Sequence, residues 1–221
     1  DDYGARNLVL IDGRPVYSSF YLGDTHRGMM GVLLEDIERI EVLRGSNSAA
    51  YGANAMFGVI NIITRHADDT LGGEAYVTGG GRGTKDYGAR IGWGNDKASF
   101  RISTGRRQDS GYANAFDDKD ITQTHFRGDL RPAADQDLML AAGYTELLAG
   151  DGEGTAGNPM RTTLWRDVYL HAQWQRQLSA TDEIKLTVNH DEATHRDATP
   201  YAPDPSVMLD FGGRSKQTNL E

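Results

Sequence analysis

The stretch that decides the fold lies at residues 167–175 and reads DVYLHAQWQ. Apolar and polar residues alternate along it, and side chains two positions apart share one face of a β-strand. The apolar face carries four side chains, those of Val168, Leu170, Ala172 and Trp174. The opposite face is polar, so the pattern predicts a strand that separates two different environments.

The same period of two recurs on both sides of this stretch. It predicts further strands at residues 87–93, 98–104, 122–130, 138–144 and 184–188. The segment 122–130 is the weakest of these, because only Phe126 and Leu130 are clearly apolar. Short turns alternate with longer links between the segments, and the short link at 81–85 is the one exception. The turns lie at 95–96, 132–135 and 179–182, and the links at 107–120, 147–163 and 194–213.

Short turns on one edge and long loops on the other are typical of a transmembrane β-barrel of the outer-membrane type. We therefore predict that the apolar rows face lipid, with Trp93, Phe100 and Trp174 as membrane-interface aromatics beside the short turns. A soluble β-sandwich also alternates, with one face buried, and it remains the alternative. The loop asymmetry and the Arg, Asp, Gln and His residues of the second face favour the barrel.

The composition limits the possible functions. The 221 residues contain no Cys and carry a net charge of −9. The lack of Cys excludes a disulfide scaffold and a thiol nucleophile. An acidic chain without Lys/Arg clusters is not expected to bind nucleic acid. The apolar runs are far shorter than the roughly 18 to 20 residues of a membrane-spanning helix.

Residues 1–70 show a different sequence pattern, which predicts a small α+β unit. Strands are predicted at Leu8–Ile11, Glu38–Leu43 and Val59–Thr64, with one helical turn at Leu33–Asp36. The alternating segments begin after Leu71. We therefore predict two domains, 1–70 and 71–221.

Three blocks of this first domain resemble the plug domain of TonB-dependent outer-membrane receptors. They are residues 9–17 (VLIDGRPVY), 37–45 (IERIEVLRG) and 50–64 (AYGANAMFGVINIIT). Two positions depart from the family pattern, since Ser46 replaces the usual Pro after Arg-Gly and Phe57 replaces the first of two usual glycines. Neither change removes a charge, so they affect local turn geometry rather than the resemblance.

The resemblance implies a receptor in the outer membrane of a Gram-negative bacterium. Such a receptor binds a scarce nutrient, an iron-siderophore, heme or cobalamin type of ligand, and imports it into the periplasm. The energy comes from TonB with ExbB and ExbD. A surface binding or adhesion barrel without active transport is the alternative. The family's N-terminal TonB-binding segment, the TonB box, is absent from these residues; its presence in the full gene would favour transport, and its absence there the alternative.

A counting argument predicts that the barrel is partial. The sequence holds about seven strands after residue 70, and Arg214–Leu220 could form an eighth. A barrel of about 8 strands is filled by its own side chains, whereas about 22 strands leave a lumen that holds a plug. We therefore expect a mainly β fold: part of a transmembrane antiparallel β-barrel preceded by a small α+β plug fragment. The remaining strands would come from the rest of the receptor.

The resemblance also implies the candidate site residues. The stretch 15–30 corresponds to an apical loop that points toward the external ligand. Aromatic, hydroxyl and cationic groups there could bind a chelate, and the candidates are Tyr17, Ser18, Ser19, Phe20, Tyr21 and Arg27. An ordinary polar loop packed on the barrel wall is the alternative for each residue.

Arg44 is the candidate for plug–barrel ion pairing. The resemblance implies that it pairs with barrel-wall carboxylates, with partners expected beyond Glu221. A solvated arginine at a turn is the alternative.

Other motifs point to no chemistry. The GxGxxG match at 152–157 lacks the strand and helix of a dinucleotide site. The two histidines in 190–197 are five residues apart, which does not fit a metal site. No set of residues suggests an acid, base or nucleophile, so no enzymatic activity, cofactor or metal ion is expected.

Overall fold

The computed structural model describes residues 7–17, 31–46, 48–51, 55–201 and 203–221. In these residues the chain forms a small mixed sheet, a large antiparallel sheet and a two-stranded hairpin. No helix of the described ranges has both the length and the apolar character needed to cross a membrane.

The small sheet comes first in the chain. Its strands are β1 (Asn7–Ile11), β2 (Arg14–Pro15), β3 (Ile37–Arg44) and β4 (Gly58–Thr64). Their spatial order is β2-β1-β4-β3, with β1 parallel to β4 and the other neighbours antiparallel. A 3-10 turn at Leu34–Asp36 and the short helix α1 (Ser48–Tyr51) lie in the connections. The predicted α+β character of this region is confirmed.

The continuous apolar run of β1 is explained by burial on both faces of the small sheet. One face packs a cluster of Leu8, Leu10, Ala55 and Val59. The other packs a second cluster of Val9, Ile11, Val16 and Ile62. The small sheet therefore has a hydrophobic core of its own.

The large sheet contains eight strands among the described residues, and neighbours in sequence pair in space. The strands are β5 (Gly72–Gly79), β6 (Lys85–Asn95), β7 (Ala98–Asp109), β8 (Lys119–Ala133), β9 (Gln136–Asp151), β10 (Arg161–Gln177), β11 (Glu183–Arg196) and β14 (Gly213–Leu220). Strands β5 and β14 are its two edges, so the sheet does not close. The predicted partial barrel of seven to eight strands is confirmed.

The prediction of a loop at 194–213 is wrong. Strands β11 and β14 continue into a hairpin of β12 (Ala198–Tyr201) and β13 (Asp204–Asp210). The register is preserved across the junction, since His195 pairs with Gly213 and Ala198 with Asp210. Prolines and acidic residues weaken the strand pattern in this segment. The antiparallel pairing of β11 with β14 nevertheless continues into β12 and β13.

The two faces of the large sheet decide between barrel and sandwich. The face that contacts the small sheet, here called the inner face, buries polar side chains: Ser99, Arg101, His125, Arg127, Thr145 and His171. The opposite outer face exposes apolar side chains, and Ile91 and Leu170 are 56% and 57% exposed. A soluble sandwich would bury the apolar rows against each other. The exposed apolar rows therefore rule out the sandwich.

Candidate functional site between the small sheet and the inner face

Arg14 is the first of three charged contacts between the small sheet and the inner face. It follows a turn in which Asp12 and Gly13 both have positive φ, which directs β2 back along β1. The buried guanidinium donates from Nη1 to Asp191 Oδ1 at 2.5 Å and lies 3.9 Å from the centre of the Tyr169 ring. The ion pair and the aromatic face together compensate for the burial of this cation.

Gly143 makes room for the ring under Arg14. A Cβ atom at Gly143 would lie 2.1 Å from Tyr169 Cε1 and 2.6 Å from His125 Nδ1. The ring can therefore cross β9, and the Tyr169 hydroxyl comes within 3.3 Å of His125 Nδ1. The space left by Gly143 in the barrel wall thus allows the Tyr169 ring to lie under Arg14.

Asp12 forms the second contact, with Thr64 and Arg127. Its carboxylate accepts hydrogen bonds from the Thr64 backbone N–H at 2.9 Å and from Thr64 Oγ1 at 2.8 Å. Arg127 Nη1 donates to Thr64 O at 3.1 Å and lies 3.4 Å from Asp12 Oδ2. The other edge of this guanidinium forms a bidentate pair with Asp129, at 2.9 Å for each bond. Asp129 in turn accepts from the Ala67 N–H at 2.8 Å.

Asp36 forms the third contact. Its side chain is only 3% exposed, and Oδ1 lies 3.4 Å from Arg90 Nη1 and 3.5 Å from Arg101 Nε. Arg101 also donates to Arg65 O at 2.7 Å, and Arg90 donates to Glu35 O at 3.2 Å. One buried carboxylate of the 3-10 turn before β3 thus meets two arginines of the inner face.

These three contacts share one electrostatic arrangement. Each buried charge of one sheet meets an opposite charge of the other, which offsets desolvation without adding much net stability. Removal of one partner leaves an uncompensated buried charge, so the contacts orient the small sheet strongly. Charge pairing, rather than apolar packing, therefore holds these two sheets in register.

A polar cavity of about 390 Å³ lies between the sheets on the short-turn side. Its lining includes Asp12, Asn61, Asp68, Arg127, Gln173 and Lys185. On the long-loop side a narrow crevice of about 60 Å³ is lined by Tyr17, Trp165, Tyr169 and Asp191, among others. The interface therefore has open polar space toward the turns and an aromatic crevice toward the loops.

The hairpin β12–β13 adds an apolar surface on the loop side. By register, Leu209 and Phe211 lie on the same face as Thr199 and Asp197. Asp197 is held by Arg161, with 2.5 Å from Nε to Oδ1 and 3.0 Å from Nη2 to Oδ2. This pair ties the hairpin to β10, and Leu209 and Phe211 stay partly exposed beside it.

Residues 2–59 match the family described as TonB-dependent Receptor Plug Domain. This part of the chain therefore belongs to the plug domains of TonB-dependent receptors. The small sheet is thus the plug, and the large sheet is part of the barrel wall.

Relatives and solved structures agree with this assignment. The chain is 46% identical over 77 residues to the ferric enterobactin receptor PirA of Pseudomonas aeruginosa, a match of 32% of this chain and 10% of the relative. It is 25% identical over 219 residues to an iron-regulated outer membrane virulence protein of Vibrio cholerae, a match of 85% of this chain and 33% of the relative. The fold superposes on the siderophore receptor PirA from Acinetobacter baumannii with a TM-score of 0.74 at 18% identity, over 99% of this chain and 37% of that one. The matches thus cover between 10% and 37% of the length of these proteins.

The predicted apical ligand site is described only at its start. Tyr17 is half-buried in the aromatic crevice beside Trp165 and Tyr169. The other candidates of this loop lie outside the described residues: Ser18, Ser19, Phe20, Tyr21 and Arg27. Their role stays a prediction.

Arg44 ends β3, which is one of the two edge strands of the plug sheet. Its side chain is exposed, and none of the ion pairs among the described residues includes it. Its predicted pairing with a barrel-wall carboxylate stays a prediction.

The predicted interface aromatics lie on the outer face next to short turns. The Trp93 and Phe100 rings are 5.8 Å apart, and Phe100 stacks on Phe126 at 6.2 Å. Trp174 Nε1 donates to Gln136 Oε1 at 3.1 Å. Their contact with a membrane interface stays a prediction.

Sequence reasoning missed the ion pairs that connect plug and wall. Arg14 lies inside the first plug block, and Asp36 lies in the predicted helical turn. By alternation, Arg90, Arg101 and His171 fall on the polar faces of their predicted strands, which identifies no partner for them. Charged residues at alternating positions of that face were the available signal, but a period of two cannot show which charges meet.

Proposed function

We propose that this chain is part of an outer-membrane receptor of a Gram-negative bacterium that binds a scarce nutrient and imports it with TonB-transmitted energy. Residues 1–70 belong to the plug and 71–221 to the first part of the barrel, and the rest of the receptor supplies the remaining strands. The ligand is of the iron-siderophore, heme or cobalamin type. The main observation in support of this proposal is the inner face, where buried charges hold a plug that keeps its own apolar core.

This arrangement suits a plug that must move. The two apolar clusters lie within the plug, so displacement need not break a hydrophobic core shared with the wall. Polar contacts can be exchanged for contacts with water, which lowers the net cost of separation. Some buried polar atoms of the described residues have no hydrogen-bond partner, among them His125 Nε2, His171 Nδ1 and Ser103 Oγ. Hydrogen bonding at this interface is therefore incomplete.

The loop side supplies groups suited to a ring-bearing ligand. Tyr17, Trp165 and Tyr169 line the crevice, and Leu209 and Phe211 lie on the hairpin beside it. Aromatic side chains offer large rigid contact areas to planar groups. Two matching relatives are named as a ferric enterobactin receptor and a vitamin B12 transporter, which supports the nutrient class. No enzymatic step is part of the proposal.

Arg44 retains its proposed role in this receptor. It lies exposed at the end of the edge strand β3 that is opposite to the end beside Asp36 and Thr64. A carboxylate on a later barrel strand would complete a bidentate pair there.

Uptake by cells that carry the full-length receptor tests the proposal. Labelled ferric siderophores, heme and cobalamin are supplied to cells with and without TonB. We expect import of one ligand class in the presence of TonB and surface binding without import in its absence. Undiminished import without TonB, or binding without any import in either strain, would contradict the proposal, and the second result would favour the adhesion barrel.

A further inference from the structure

We propose that a cavity between plug and wall is a second binding site for the imported nutrient, occupied after the nutrient has left the aromatic crevice. This turn-side cavity is the polar space of about 390 Å³ on the short-turn side, with Asp12, Asn61 and Gln173 in its lining. The inference rests on the proposed function, because it names a position that the nutrient takes during import.

The crevice and the turn-side cavity are separated by one layer of side chains. Alternate residues of β10 face the plug, and among them Tyr169 lines the crevice and Gln173 lines the cavity. Only His171 lies between these two on that face, and four residues extend about 13 Å along a strand. On the plug, Gly13 lines the cavity and the next residue, Arg14, lines the crevice. The two spaces therefore meet at a single turn of the plug.

Polar contacts of that turn close the layer. His171 Nε2 donates to Asp12 O at 3.2 Å, and Arg14 Nη1 donates to Asp191 Oδ1 at 2.5 Å. His171 Nδ1 is buried and has no hydrogen-bond partner among the described residues. Water can replace these polar contacts when the turn leaves the wall, which lowers the net cost of opening the layer.

The turn can move without separating the central strands of the plug. Arg14 belongs to β2, which has two residues and is an edge strand of the small sheet. Strand β2 pairs with β1 at only two positions, whereas β1 pairs with β4 at five. Displacement of β2 and the adjoining turn therefore joins the crevice to the cavity while β1 and β4 stay paired.

The turn-side cavity has the size of a small-molecule site but few unpaired charges. Its volume lies within the range of about 300–1,000 Å³ that is usual for such sites. Arg127 pairs with Asp12 and Asp129, and Arg131 lies 3.6 Å from Asp137. These ion pairs use most of the charges in the lining. The cavity is therefore not built to hold a ligand by its net charge.

Neutral amides supply the other hydrogen-bonding groups of the cavity. Asn61, Asn95, Gln173 and Gln175 line it, and each amide carries both donors and an acceptor. The buried Asn61 Oδ1 has no hydrogen-bond partner among the described residues. An unpaired buried acceptor is costly, and a ligand hydroxyl or N–H group that reaches it removes that cost. The cavity therefore suits the hydroxyl and amide groups of a chelate.

Photo-crosslinking in cells that carry the full-length receptor tests this site. Gln173 is replaced by p-benzoyl-phenylalanine, and the probes are a labelled ferric siderophore, heme and cobalamin. The probe that is imported should be captured at position 173 about tenfold more in cells with TonB than in cells without it. The matched control is the same replacement at Gln177, a glutamine on the same face of β10 that lies outside the cavity lining. It should capture about tenfold less probe than position 173.

A smaller substitution tests the same site without a bulky side chain. Gln173→Cys introduces a thiol into a sequence that contains no Cys, and alkylation with N-ethylmaleimide then fills part of the cavity. Import should fall about tenfold after alkylation, while binding at the cell surface is retained and shows that the receptor is folded. Alkylated Gln177→Cys should import as before.

The outcomes distinguish this site from the proposed function. If the unchanged receptor imports none of the probes, the proposed function fails and the second site fails with it. If the unchanged receptor imports a probe but position 173 captures none, or captures no more than position 177, the second site alone is refuted. Undiminished import by alkylated Gln173→Cys refutes it as well.

Discussion

The plug sheet and the barrel wall follow opposite rules of burial. The plug buries two apolar clusters and carries Asp12, Arg14 and Asp36 to its boundary. The wall buries Arg101 and Arg127 and exposes Leu170 and Ile91. Apolar side chains leave water in both cases, but the wall meets its apolar surroundings outside rather than inside. The polarity of a sheet face therefore reflects the medium next to that face, not its depth in the fold.

The largest expected effect is the loss of a charge between the two regions. Asp36→Asn removes the carboxylate that faces Arg90 and Arg101, and Arg101 stays buried without it. We expect plug docking to weaken by about 3–5 kcal/mol, the usual result of breaking a buried pair. Amide hydrogen exchange of residues 37–44 and 58–64 in the full-length receptor measures this. Glu38→Gln, in an exposed pair with Arg39, is the control and should change exchange little.

A second comparison places the same truncation in both regions. Leu10→Ala removes a buried side chain from the plug core and should destabilise the plug by about 2–5 kcal/mol. Leu170→Ala removes an exposed side chain from the outer face and should leave the plug unchanged. Hydrogen exchange of β1 and β4 measures both variants. Equal exchange in the two would show that the plug does not keep a core of its own.

The third test concerns the close approach of Tyr169 to the backbone of β9. Gly143→Ala places a methyl group where Tyr169 Cε1 and His125 Nδ1 lie, so the ring under Arg14 must shift. We expect a loss of about 1–3 kcal/mol in plug docking from overpacking. The unfolding temperature and the amide hydrogen exchange of plug residues measure this loss. Gly73→Ala, with nothing within 4 Å of the new Cβ, should be close to neutral, and equal effects would refute the explanation.

The smallest expected effect is a pH dependence of the hairpin. The Arg161 guanidinium that donates to Asp197 holds the pKa of that carboxyl below its usual value, against the opposing effect of desolvation. A carboxyl with a lowered folded-state pKa stabilises the fold above its unfolded pKa of about 3.9 and loses this contribution as the pH falls through the folded value. Exchange of residues 198–201 and 203–210 should therefore be faster at pH 3 than at pH 6, after correction for the intrinsic rate. In Asp197→Asn this difference should vanish, and its persistence would exclude the Arg161 pair as the cause.

Much of the fold could be predicted from local patterns. The period of two located the wall strands, and three ordered blocks located the plug. The hairpin β12–β13 was missed because its pairing is inherited from β11 and β14 rather than encoded by its own apolar alternation. The strands β9 and β10 also extend beyond their apolar segments, since paired neighbours propagate the ladder into polar sequence.

The site was less predictable than the fold. The family motif points to Arg44, whereas the described wall contacts belong to Arg14, Asp12 and Asp36. The Arg14–Asp191 pair joins residues 177 positions apart, and nothing in either local sequence identifies the other. The alternation on the wall showed that charges would share a face but not which plug residue each would meet.

Local sequence patterns were enough to predict which strands are neighbours and which face each side chain takes, because strand alternation and turn length act over neighbouring residues. The tertiary arrangement was needed to show that Arg14 meets Asp191 and that Asp36 lies between two arginines. Those contacts depend on where distant strands place the plug. Electrostatic interactions weaken within a few ångströms, and the spacing of residues along the chain does not fix distances in space that precisely.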